Sequence, residues 1–157
     1  MAKKLLAGLL ACLMLVPVLA GCSDGSEDSL PAWSEASAYN RAGFEVIWTG
    51  LSDIMIDFEA NGSYPGITGT EESGLLTFSG VQKTTNVEGY SFDVTINGRM
   101  QIYDGQNSAD IVISSARGVN ATLGTFYVSC HIRMTNQSNT PKITMLVVNG
   151  TEYDPYK

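Results

Sequence analysis

Cysteine, histidine and basic residues are scarce in this chain of 157 residues. It has three cysteines, one histidine, and nine lysines and arginines against 16 aspartates and glutamates. A single histidine excludes a metal site built from several histidines. A net charge of −7 with no basic cluster excludes a nucleic-acid-binding protein, because such a protein needs a cationic surface. We therefore predict no metal, no cofactor and no nucleic-acid partner.

The N-terminus has the pattern of an export signal. Lys3 and Lys4 precede an uncharged run from residue 5 to residue 20. A charged start followed by a short apolar segment is typical of a secretory signal peptide. The run is shorter than the roughly 20 apolar residues that a membrane-spanning helix needs, and Pro17 interrupts it.

The signal ends in Leu19-Ala20-Gly21-Cys22, which resembles the lipobox of bacterial lipoproteins. The resemblance implies that residues 1–21 are removed and that Cys22 carries a diacylglyceryl group, with or without a further acyl chain such as palmitate. Two or three acyl chains form a lasting membrane anchor. Ser23 stands where aspartate commonly signals inner-membrane retention, which favours the outer membrane if the organism has one. The alternative is an ordinary secretory signal with an incidental cysteine.

Cleavage changes both the charge and the cysteine inventory. Loss of Lys3 and Lys4 leaves seven basic residues against 16 acidic ones, a net charge of −9. Cys12 leaves with the signal and Cys22 is lipidated, so Cys130 is the one free thiol. An intramolecular disulfide is then impossible, and the fold must be stabilised by packing.

The mature chain divides into a tether and a domain. Residues 22–32 form the lipidated N-terminus and an acidic tether, and residues 33–157 form a single domain. Ten extended residues reach at most roughly 35 Å, so the domain works close to the bilayer.

The domain begins with the pattern of one amphipathic helix. Ser34 is a suitable N-cap, and Asn61-Gly62 ends the helical pattern. Apolar residues recur between them at spacings of three and four: Phe44, Ile47, Leu51, Ile54 and Phe58.

Alternating apolar and polar residues then predict β-strands. Leu75 to Ser79 is the first predicted strand, and Thr125 to Met134 has the clearest alternation. The pairs Asn97-Gly98, Asp104-Gly105 and Asn149-Gly150 predict tight turns between strands.

These patterns predict an α+β fold in which the N-terminal amphipathic helix packs on an antiparallel meander of six or seven strands. Links of hairpin length argue against parallel βαβ units. The pattern leaves open whether the sheet stays open or curls around the helix.

No residue constellation predicts catalysis. Cys130 and His131 are adjacent in a strand, so they point to opposite faces and cannot form a nucleophile pair. Asp53 and Asp57 are four residues apart on the helix, where a like-charge pair is usually a solvated face. Residues 104–110 offer oxygen ligands but lack the spacing of an EF-hand. We therefore predict that the protein is not an enzyme.

A recognition surface is predicted on the outer face of the sheet, carrying Tyr103, Tyr127, His131 and Arg133. Tyrosine and arginine are enriched where proteins bind their partners. The alternative is an ordinary solvated face of an antiparallel sheet.

The leading functional hypothesis is a non-enzymatic lipoprotein that binds an envelope protein or polymer near the membrane. The first alternative is a carrier of an apolar ligand or lipid in a cavity lined by Phe58, Phe78, Phe92 and Phe126. The second alternative is a small envelope enzyme, which would need carboxylates converging on His131.

Overall fold

A computed structural model describes residues 29–70, 72–103, 107–137 and 140–157. These residues form one α-helix and an open seven-stranded antiparallel sheet, which confirms the α+β class and the meander. The strands pair in chain order from β1 to β7. The elements are α1 (Ala38–Asn61), β1 (Ile67–Thr70), β2 (Leu75–Val87), β3 (Tyr90–Tyr103), β4 (Ser108–Asn120), β5 (Gly124–Gln137), β6 (Thr140–Val148) and β7 (Thr151–Tyr153).

The helix begins later than the sequence pattern predicts. Trp33–Glu35 form a separate 3₁₀ turn, so Ser34 does not cap α1. Ser37 is the cap, and its side chain accepts a hydrogen bond of 3.1 Å from the Asn40 backbone N–H. At the other end Gly62 adopts the left-handed conformation with φ of 72°, as its position predicts.

Three glycines allow α1 to lie very close to the sheet. A Cβ atom added at Gly43 or at Gly50 would lie 3.0 Å from a side-chain carbon of the sheet. For Gly50 this carbon belongs to Val94. A Cβ added at Gly118 in β4 would lie 2.5 Å from Val46 Cγ1. Gly43 and Gly50, which would weaken α1 as an isolated peptide, are thus positions at which α1 contacts the sheet.

Tight turns with two left-handed residues connect two of the hairpins. Asn149 and Gly150, with φ of 48° and 82°, join β6 to β7 as the sequence predicts. Glu88 and Gly89, with φ of 50° and 84°, make the same kind of turn between β2 and β3. The predicted turn at Asp104-Gly105 lies outside the described residues.

The predicted turn at Asn97-Gly98 is wrong. β3 continues through both residues to Tyr103, and its register with β4 shifts between them. A Cβ on Gly98 would overlap the carbonyl oxygen of Val112 in β4. Gly98 is therefore needed for a close approach of two strands, which is the second common role of glycine in a sheet.

Extra residues in β2, β4 and β6 shift the register with their neighbours. Asn97 forms hydrogen bonds to residues at two of these bulges. Its Oδ1 accepts a hydrogen bond of 2.8 Å from Gly80 N–H in β2, and its backbone oxygen accepts one of 3.2 Å from Ser114 Oγ in β4. Such bulges bend strands and increase their twist. The predicted strand from Leu75 to Ser79 continues past its bulge to Val87.

The two edges of the sheet differ. At one edge, Trp33 N–H donates to Asp154 O over 3.0 Å and Ser34 N–H to Lys157 O over 3.1 Å, so the chain entering the domain is tied to the residues that follow β7. At the other edge, the short strand β1 pairs only with residues 75–78 of β2.

Candidate functional site

The four predicted surface residues lie on the outer face of the sheet, which we define as the face turned away from α1. Burial alternates along β5, with Ile132 and Met134 buried and His131 and Arg133 partly or fully exposed. Strand register separates the four residues into different regions. Arg133 is opposite Asp110, whereas Tyr127 lies six residues away along β5, opposite Arg117.

The first region is the His131 cluster, formed by Asp110, His131 and Arg133. His131 Nε2 lies 2.6 Å from Asp110 Oδ1, and Arg133 Nε lies 3.6 Å from the same oxygen. One carboxylate thus meets the histidine, which is part of what the enzyme alternative requires. The same carboxylate also contacts the guanidinium, so its charge is compensated within the cluster. Within the described ranges, no three histidine, cysteine or acidic side chains converge as a metal site.

Cys130 is on the opposite face of β5 and is 5% exposed in the core. Burial raises the pKa of the Cys130 thiol to about 12. A thiol that stays protonated at neutral pH is a poor nucleophile, because the thiolate is the reactive form. This geometry agrees with the prediction that Cys130 and His131 do not act together.

We expect Cys130 to resist alkylation in the folded protein. Because the raised pKa disfavours the thiolate in the native state, iodoacetamide at pH 8 should modify Cys130 at least about 100-fold more slowly than in 8 M urea. The raised pKa of the thiol also makes the stability of the fold depend on pH. Below the unfolded pKa near about 8.5 the thiol is protonated in both states, and the free energy of unfolding keeps its full value. As the pH rises above that value, the free energy of unfolding falls. Rapid modification of the native protein would contradict this expectation.

The second region is a groove of about 660 Å³ that crosses the outer face of β2, β3 and β4. The residues that line it are mostly polar and include Tyr64, Gln82, Thr84, Asp93, Thr95 and Arg117. Tyr64 is held at one end, where its hydroxyl donates a hydrogen bond of 2.6 Å to Gln82 O. Across the strands, Gln82 is opposite Thr95, Thr95 opposite Arg117, and Arg117 opposite Tyr127.

Arg117 is the feature that distinguishes the groove. Its side chain is exposed and has neither an ion pair nor a hydrogen bond with any residue that the structure describes. The nearby carboxylate of Asp93 accepts a hydrogen bond of 2.8 Å from Thr84 Oγ1. Five guanidinium N–H donors are therefore available on a rigid sheet.

Sequence reasoning missed Arg117, Tyr64 and Gln82. Alternation from the buried Ile111 and Ile113 would place Arg117 on the inner face, and the extra residue between Ile113 and Ala116 turns it outward instead. Neither its orientation nor its neighbours could have been predicted, because they depend on the registers of three strands and on this bulge.

The phenylalanines proposed as the wall of a ligand cavity belong to the core. Phe58, Phe78 and Phe92 are 5%, 2% and 2% exposed, and Phe126 packs against the same core cluster. The ring centroids of Phe92 and Phe126 are 6.1 Å apart. The close glycine contacts described above leave no space for a ligand at those points between α1 and the sheet.

The comparisons with known proteins give no further guide. No known protein family matches the sequence, and neither a curated protein nor a solved structure shows significant similarity to it. The predicted signal and Cys22 lie outside the described residues. Among the residues that the structure does describe, no helix is both long and apolar enough to cross a membrane.

Proposed function

We propose that the protein is a non-enzymatic binding module, anchored in a membrane of the cell envelope by lipid on Cys22, that binds a hydroxyl-rich polymer in the outer-face groove. The outer membrane is favoured if the organism has one. The observation that carries the proposal is the unpaired Arg117 guanidinium in a groove lined by hydroxyl and amide groups.

The lining favours a polysaccharide over an apolar ligand. Threonine hydroxyls and a glutamine amide can both donate and accept hydrogen bonds, as sugar hydroxyls do. Tyr64 and Tyr127 offer rings with an apolar face and a polar tip at the two sides of the row. The row from Gln82 to Tyr127 covers about 14 Å, given strand spacings near 4.8 Å. That length suits a few sugar units of a chain lying across the strands.

The charge of the protein restricts the kind of polymer that it can bind. With a net charge of −9 after cleavage, the protein would repel a densely anionic polymer. Arg117 can bind one isolated carboxylate, or donate to amide carbonyls and hydroxyls. We therefore propose a polymer with few negative charges, located within the roughly 35 Å that the tether allows.

Co-sedimentation with purified peptidoglycan sacculi and with neutral envelope polysaccharide tests the proposal. We expect the wild type to bind at least one of these polymers, and Arg117→Ala and Tyr127→Ala to weaken its binding about tenfold. Arg99→Ala is the matched control, because Arg99 is also exposed on the outer face but does not line the groove. Equal loss with Arg99→Ala, or no binding to any polymer, would contradict the proposal.

A further inference from the structure

The C-terminal part of β2 forms an open sheet edge. β1 pairs only with Leu75–Phe78, and the Tyr64 hydroxyl covers the carbonyl of Gln82. From Lys83 to Val87, no strand among the described residues lies on the side of β2 opposite β3. An exposed edge of this kind can pair with another chain.

The main-chain groups of Thr84 and Asn86 point toward this open side. Tyr64 precedes β1, so the carbonyl that it binds, Gln82 O, points away from β3. In an antiparallel sheet both backbone groups of a residue point to the same side, and every second residue repeats that direction. The N–H and C=O groups of Thr84 and Asn86 therefore face outward, and no described residue bonds them.

The opposite edge of the sheet offers few backbone groups for pairing, because Pro141 of β6 has no N–H and Ile143 N–H donates a hydrogen bond of 2.6 Å to the Tyr156 hydroxyl. Backbone hydrogen bonds from Trp33 and Ser34 tie the entering chain to residues beyond β7. A protein with two open edges can polymerise, but one with a single open edge can pair with a second copy and close. The fold therefore favours a two-fold dimer over a filament.

A lysine at a sheet edge usually hinders pairing, but Lys83 is tied to its own helix. Its Nζ lies 2.6 Å from Asp57 Oδ2, and the Asp57 carboxylate compensates its charge. The neighbouring Thr85 hydroxyl donates to Asp53 Oδ2. Both inward-facing polar side chains next to the edge are thus bonded within the protomer, leaving the edge itself free.

An exposed apolar residue lies beside the edge. Ile56 of α1 is 56% exposed and, together with Asp53, Thr85 and Asn86, lines a groove between the helix and β2. A second β2 strand placed antiparallel to the first would bring a second α1 to the same face. The two Ile56 side chains would then be covered at the two-fold axis.

We propose that two copies of this chain pair through their β2 edges, antiparallel about Thr85, to form one continuous sheet. Thr84 of one copy lies opposite Asn86 of the other, and their outward backbone groups make about four hydrogen bonds. The dimer rests on the sheet edge and is independent of the polymer-binding proposal.

Sedimentation equilibrium of the full lipidated protein in density-matched detergent tests the dimer. Asn86→Pro removes an outward N–H without removing a hydrogen bond to β3, and Asn86→Thr is the matched control that keeps it. Ile56→Glu adds a like charge beside Asp53 and Asp57 on an exposed position where folding does not need the isoleucine. Circular dichroism verifies that each variant folds.

We expect the wild type and Asn86→Thr to sediment with the mass of two copies. The dissociation constant of the dimer should be at least about tenfold higher for Asn86→Pro and for Ile56→Glu. A single-copy mass for the wild type at about 100 µM would overturn the proposal, since a specific interface should hold at that concentration. It would also be overturned by a dimer that both substitutions leave unchanged, or by another protein occupying the β2 edge.

Discussion

Replacing Gly98 by alanine is expected to lower the free energy of unfolding by about 3 kcal/mol or more. The added Cβ would overlap the backbone oxygen of Val112 and lie 2.9 Å from the Cα of Ile113. Both atoms belong to the main chain of β4, so no side-chain rotation relieves the overlap. β3 and β4 would have to separate where the bulges bend the sheet.

Urea unfolding followed by the fluorescence of Trp33 and Trp48 measures this effect. Gly124→Ala is the control, because Gly124 also has a positive φ, of 90°, but a Cβ there would meet nothing within 4 Å. Its cost should be about 1 kcal/mol, from backbone conformation alone. A Gly98→Ala protein as stable as Gly124→Ala would show that the two strands are not in close contact.

The second large effect concerns the contact between α1 and the sheet. Gly118→Ala should cost about 2 kcal/mol, because its Cβ would lie 2.5 Å from Val46 Cγ1 in a packed core. Val46→Ala should also cost about 2 kcal/mol, by leaving a cavity. The double variant should be more stable than the sum of the two costs predicts, by about 1 kcal/mol, since the added methyl occupies the space that the valine leaves.

A double-mutant cycle of urea unfolding measures this coupling. The control cycle pairs Gly118→Ala with Ile143→Ala, a buried residue of β6 that is separated from β4 by β5. Distant sites are additive to within about 0.5 kcal/mol, so this cycle should show no coupling. Additivity between Gly118→Ala and Val46→Ala would contradict the close approach of α1.

Two identical dipeptides show how far local sequence signals reach. Asn149-Gly150 forms the predicted turn, whereas Asn97-Gly98 continues a strand. Both follow a segment with the composition of a strand, so the local turn signal is the same. They differ in their partners: residues 99–101 pair with both β2 and β4, and the pairing energy favours a continuous strand.

The predicted surface residues illustrate the same distinction. Alternation correctly assigned His131 and Arg133 to one face and Cys130 to the other, because side chains of a strand point to opposite faces in turn. It could not predict that Asp110 meets His131, nor that Tyr127 lies beside Arg117. Those neighbours are set by the register between β4 and β5.

The sequence by itself determined the periodic properties of this protein. A helix followed by an antiparallel sheet of six or seven strands, an apolar side for the helix and a buried thiol at Cys130 all follow from spacings of 3.6 and 2 residues. The acidic charge balance follows from composition. Each of these depends only on residues near one another in the chain.

Only the tertiary structure decided which distant residues meet. The close approach of α1 through Gly118, the unpaired Arg117 in its groove, and the open edge from Lys83 to Val87 all depend on strand register and on where the bulges fall. These contacts join residues far apart in the sequence. Local propensities cannot specify them, because a shift of one residue leaves every local pattern intact while changing every neighbour.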